Sequence, residues 1–147
     1  MNRSLSVQTT STRYVEEISI GKHKLLADEP VDAGGTDAGP GPYEFLLTAL
    51  GTCTCITLRM FADRRRWPLE AVRILLCHSK VHAEDCVACE HELRVMDRIE
   101  VEIDLKGELS TDQRQRLLEV AGKCPVHNTL ASAIDIQTRL ADASPGL

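Results

Sequence analysis

The chain has 147 residues, which suits one domain with a sizeable core, and nothing in it marks a second. Its formal charge of −5, with no Lys/Arg stripe beyond Arg64, Arg65 and Arg66, argues against nucleic acid as a partner. One Trp, two Tyr and two Phe leave the core to Leu, Ile, Val and Ala, and provide no surface for stacking bases.

Residues 1–12 are polar and lack the apolar centre of a signal peptide, so they read as a flexible tail, as do residues 141–147. No apolar run approaches the length of a bilayer span, and a soluble cytoplasmic protein without a membrane partner is expected. Residues 14–20 and 23–27 are strand-like runs separated by Gly21-Lys22, a hairpin turn. Residues 28–42 are rich in Gly, Pro and Asp. They carry neither the Gly-Lys-Ser/Thr ending of a phosphate loop nor the spaced glycines of a dinucleotide site, and read as a connector.

The spacing predicts a long helix over 43–66, with Pro42 at its first turn. Leu46, Ala49, Leu50, Cys53, Ile56, Thr57 and Met60 recur at three- and four-residue steps as its apolar face. Cys55 lies about 200° round the helix from Cys53, on a smaller face with Thr48, Thr52 and Arg59. The Cys-x-Cys therefore cannot act as one vicinal site. Gly51 weakens the helix interior and marks the close approach of another backbone. Trp67-Pro68 ends the helix.

Strands follow at 71–78 and 93–105, the second alternating apolar and charged residues. Ser110 with Gln113 forms a capping-box signature for a helix to residue 121, stopped by Gly122. Cys124-Pro125 opens a short helix to about residue 132, and residues 134–140 alternate as a last strand. Strands and helices segregate, which defines an α+β fold with a long helix packed on antiparallel sheet.

With six cysteines in a chain large enough to fold without staples, thiol chemistry or metal binding is a better account than structural disulfides. Cys124 stands at a helix start, where unpaired backbone N–H groups stabilise a thiolate. Cys53 lies on an apolar face that would raise its pKa, so its activation needs a nearby cation or oriented donor. Arg59 is about 120° away on the helix and ill placed; His127 or a residue of another subunit are the candidates. The plain alternatives are a small buried hydrophobe at position 53 and a passive helix-start residue at 124.

Gly-Pro-Tyr-Glu-Phe-Leu-Leu-Thr-Ala-Leu-Gly-Thr-Cys-Thr-Cys-Ile-Thr-Leu-Arg-Met at 41–60 resembles the central-helix motif of the OsmC/Ohr family. Lys-Cys-Pro-Val-His at 123–127 resembles that family's second-cysteine motif, and the order of elements fits over nearly the whole chain. The resemblance implies a single OsmC-like domain over 1–147, intertwined as a homodimer with two sites at the subunit boundary. It implies a stress-response peroxidase needing no cofactor or metal, in which Cys53 attacks an organic hydroperoxide and Cys124 resolves the sulfenic acid as a disulfide. A dithiol reductant, such as a lipoyl group, restores it. One position departs from the pattern: the hydroperoxide-resistance branch places Glu directly after the Pro, with an arginine from an early strand. Here Tyr43 takes the Glu place, Glu44 comes one later, and Arg13 is the one early arginine candidate.

The rival reading is a non-catalytic OsmC-like dimer that binds a small ligand, or a metal through His78, His82, Cys86 and Cys89. If the strand continued to His82, the two histidines would stand about 13 Å apart, too far for one ion. Cys86 and Cys89 would equally serve as a second redox pair, with Cys77 and His91 as further possible ligands.

Overall fold

The computed structural model describes residues 4–82 and 95–141. Three short strands, β1 (Leu5–Thr9), β2 (Glu16–Ile20) and β3 (His23–Ala27), form an antiparallel sheet in that order. Gly21 turns the β2–β3 hairpin at φ 57°, a conformation that glycine adopts without a Cβ penalty. The long helix α1 (Pro42–Arg65) follows, then the strands β4 (Ala71–His82) and β5 (Val95–Lys106), paired antiparallel along their whole length. The helices α2 (Thr111–Ala121) and α3 (Pro125–Leu130) close the chain.

β1 corrects the expectation of a flexible tail over 1–12. Leu5 and Val7 alternate with Ser6 and Gln8, and register is set by ladder bonds to β2, with Val7 opposite Ile18. All five residues are exposed, so a strand held by its backbone bonds left little apolar signal to read. The strand expected over 134–140 is absent. The alternation is real, with Ile136 81% and Leu140 96% exposed, but a strand exists only against a neighbouring edge.

The segment between β3 and α1 is a built connector. The buried Asp28 carboxylate accepts the Thr36 hydroxyl (2.6 Å) and the N–H groups of Glu29 (2.8 Å), Thr36 (2.9 Å) and Ala38 (3.1 Å). The Thr36 hydroxyl first, then the Ala38, Thr36 and Glu29 N–H groups, outweigh burial and hold Asp28 at about 2. A Cβ on Gly35 would stand 1.8 Å from the Glu29 carbonyl oxygen, so the turn accepts no side chain there. Glu44 closes the start of α1 by accepting the Gly41 N–H at 2.7 Å.

α1 buries Leu50, Gly51, Thr54, Leu58 and Ala62. Leu58 and Ala62 pack with Leu69 and with Leu117, Val120 and Ala121 of α2. The even-numbered residues of β4, from Val72 to Leu76, are half-buried while Arg73, Leu75 and Cys77 are exposed. Gly51 meets a side chain rather than a backbone: a Cβ there would lie 2.9 Å from Leu76 Cδ1. α1 is long and apolar enough by composition to cross a membrane, contrary to the expectation that no run approaches that length. In this fold it is the central helix, in contact with β4, α2 and α3.

The apolar face read from the sequence meets the buried one only at Leu50. Leu46 (38% exposed), Ile56 (59%) and Met60 (49%) lie on the surface, in a row with Cys53. The helix is apolar nearly all round, and periodicity cannot rank two apolar faces when both are populated.

Candidate functional site

Cys53 reaches the site from the middle of α1, and Cys124 from the residue that caps α3. Cys124 has extended backbone (φ −64°, ψ 145°) and Pro125 begins the helix, where its missing N–H costs nothing. The Cys124 sulfur accepts the His127 N–H at 3.3 Å, so position 124 is a true cap. The His127 backbone makes that contact, not its imidazole.

Folding brings the two predicted thiols together. Cys53 stands near enough to Cys124 to help lower its thiol, and both cysteines are free. Cys124 has no exposed surface, whereas Cys53 is partly exposed on the apolar row of α1. Burial pushes the Cys124 thiol up. The Thr54 hydroxyl, the His127 N–H, the Cys53 thiol and the Val126 N–H together more than offset that, and Cys124 ends below the usual thiol value. The sulfur enclosed in the protein is thus the one provided with donors for a negative charge.

Thr54 is a site residue that the sequence reading missed. Its hydroxyl, 2% exposed, lies 2.9 Å from the Leu50 carbonyl oxygen and 3.5 Å from the Cys124 sulfur. The available signal was a hydroxyl next to Cys53 in an apolar helix, where a buried polar group needs a partner.

The other candidates are placed elsewhere. Arg59 donates to the carbonyls of Leu69 and, at 2.9 Å, Glu70, tying the end of α1 to the chain entering β4. The Arg13 guanidinium lies 4.8 Å from the Tyr14 ring centre. Glu44 caps its own helix, nine positions and about 13 Å of helical rise before Cys53. Cys55 is partly buried, and burial pushes its thiol up.

His78 binds Asp97 (2.8 Å) and stacks on Tyr43, with ring centres 4.5 Å apart. β4 continues to His82, so the backbones at 78 and 82 are four strand residues apart, about 13 Å, too far to share an ion. Cys86, Cys89 and His91 lie outside the described residues. Among the described residues no group of three or more His, Cys, Asp or Glu stands ready to hold a metal.

A helix cysteine and a helix-cap cysteine, neighbours in an α+β fold, form a candidate two-thiol site. The chain belongs to the OsmC-like protein family, whose model matches residues 35–139. No curated protein matches it in sequence. Its fold is that of solved family structures. The organic hydroperoxide resistance protein OsmC of Legionella pneumophila is 17% identical, with 89% of this chain and 90% of that one covered at a TM-score of 0.64. The organic hydroperoxide resistance protein OhrB of Bacillus subtilis is 16% identical, with 92% and 94% covered and a TM-score of 0.61. The OsmC-like protein of Mycoplasma pneumoniae is 17% identical, with 88% and 87% covered and a TM-score of 0.64.

Proposed function

We propose that this chain is a thiol-dependent peroxidase for organic hydroperoxides, with Cys53 peroxidatic and Cys124 resolving, in a cytoplasmic homodimer reduced by a dithiol. The observation that carries the reading is the pair of neighbouring free thiols, one enclosed and one partly exposed. The hydroperoxide-resistance names of structural neighbours favour the same substrate class.

Transfer of a proton from Cys53 to an ionised Cys124 leaves a Cys53 thiolate, the nucleophile that the chemistry requires. Cys53 attacks the distal peroxide oxygen, the O–O bond breaks, and Cys53 becomes a sulfenic acid. The departing alkoxide takes the proton from Cys124 and leaves as an alcohol. The Cys124 thiolate then attacks the Cys53 sulfur, forming the disulfide and releasing hydroxide. The sum is two sulfurs oxidised by two electrons and one peroxide reduced by two. Recovery of both thiols suits a reducing compartment.

A second copy of the chain is favoured by two unpartnered surfaces. One is the row Leu46, Ile56 and Met60 beside Cys53. The other is the alternating segment 134–140, which has no strand partner among the described residues. An apolar row of this kind on a soluble fold marks an association surface.

The test is consumption of cumene hydroperoxide with dihydrolipoamide as reductant. Turnover by the native protein, lost in Cys53→Ser, supports the reading. Equal rates for the native and Cys53→Ser proteins would reject it.

A further inference from the structure

The buried hydroxyl of Thr54 has a single proton and two acceptors. The Leu50 carbonyl oxygen lies four residues back on the helix at 2.9 Å, and the Cys124 sulfur lies at 3.5 Å. With 2% exposure, no bulk water supplies a substitute donor. When Cys124 carries a proton, its S–H can donate to Thr54 Oγ1 while Thr54 donates to Leu50. When Cys124 is a thiolate, that sulfur has no proton to give, and the Thr54 hydroxyl has reason to turn to it. The Leu50 carbonyl tolerates this because it sits inside α1, where the backbone ladder already provides a donor. Thr54 is thus a donor that responds to the charge on one specific sulfur.

We propose that Thr54 is a positioning residue that stabilises charge on Cys124, making Cys124 the sulfur that leaves when a Cys53–Cys124 disulfide is reduced and directing the incoming thiol to Cys53. The proposal rests on the disulfide cycle given above. Three observations converge on it. Cys124 has no exposed surface, so a thiol from solution has no path to its sulfur, and adding a second copy cannot open one. Cys53 is partly exposed in the single chain, and a second copy on its row would have to leave that sulfur a path to solvent. The donors that would receive a departing thiolate, Thr54 Oγ1 and the His127 N–H, converge on Cys124. In thiol–disulfide exchange the better stabilised thiolate leaves faster.

The step balances. One thiolate of a dithiol attacks the Cys53 sulfur; a mixed disulfide forms, the Cys53–Cys124 bond breaks, and Cys124 leaves as a thiolate. The second thiol of the reductant, after losing its proton to solvent, closes on its own sulfur bound to Cys53. This releases Cys53 as a thiolate and a cyclic disulfide, so the reductant loses the two electrons that the protein gains.

The test uses full-length protein oxidised with diamide, so that peroxide turnover plays no part. The oxidised protein is treated with glutathione, a monothiol that cannot close on itself. The mixed disulfide is trapped by acid and mapped by peptide mass. The expected adduct is on Cys53. Ionisation of Cys124 in the reduced protein is also followed across pH by ultraviolet thiolate absorbance, as the difference between each protein and its Cys124→Ser counterpart. Thr54→Val should raise the Cys124 midpoint by about one pH unit, the worth of one hydrogen bond to a charged group. Thr54→Ser should restore it. A merely structural role would lower thermal stability in Thr54→Val and leave the midpoint in place, which would overturn the proposal. An adduct on Cys124 would also overturn it, while leaving the peroxidase reading intact. No Cys53–Cys124 disulfide after diamide would overturn both. Loss of peroxide turnover alone, with the adduct still on Cys53, would remove only the peroxidase reading.

Discussion

The row Leu46, Cys53, Ile56 and Met60 and the buried row Leu50, Thr54, Leu58 and Ala62 occupy different faces of α1, and truncation on each should fail differently. Ile56 is 59% exposed in the single chain. Burying a whole Ile side chain contributes about 1.5–3 kcal/mol, so covering the exposed part is worth about 1–2 kcal/mol per copy. A symmetric pair counts it twice, which places Ile56→Ala at a loss of about 2–3.5 kcal/mol. Such a loss weakens self-association roughly 30- to 300-fold. Sedimentation velocity over a dilution series reads this directly. Leu58 has no exposed surface and packs with Leu117 and Val120 of α2. Leu58→Ala should cost about 2–5 kcal/mol of fold stability and lower Tm by about 4–20 °C, with association little changed. An Ile56→Ala protein that associates as tightly as the native one would refute the assignment of this face to a second copy.

Two further outcomes follow from titratable groups. Asp28 is held at about 2 in the folded state against an ordinary 3.8, so the unfolded chain binds the extra proton between those values. Its contribution to stability is complete above about pH 4 and is lost as the pH falls through about 2. Urea midpoints from pH 2 to 5 should show a shallower acid slope in Asp28→Asn, and an unchanged slope would show that the Asp28 cradle is not what acid disrupts. Burial pushes the Cys55 thiol up and so keeps it protonated; Cys55→Ala should retain peroxide turnover and the Cys53–Cys124 disulfide, as read by coupled kinetics and peptide mass.

Much of the fold was legible where local chemistry fixes an element. Ser110 and Gln113 form the capping box that starts α2, with both reciprocal bonds in place. His23–Ala27 is a strand, and Pro42 starts α1, because these boundaries depend on residues close in sequence. The misses depend on partners distant in sequence or absent from the chain. β1 exists because β2 offers an edge, and residues 134–140 lack a strand because no edge among the described residues meets them. The buried side of α1 was misread because what packs on it, α2 and β4, was invisible to periodicity.

The site divides in the same way. Cys53 and Cys124 stood out through their motifs and the helix-start position of Cys124. Their meeting in space could not be read from spacing, and Thr54 matters only because that meeting occurs.

The most direct measurement of the central claim is intact mass and peptide mapping after one equivalent of cumene hydroperoxide, for native protein and Cys53→Ser. The account predicts a rapid loss of about two hydrogen masses, mapped to a Cys53–Cys124 disulfide and absent from the variant. An unchanged mass, or a disulfide confined to Cys86 and Cys89, would contradict it.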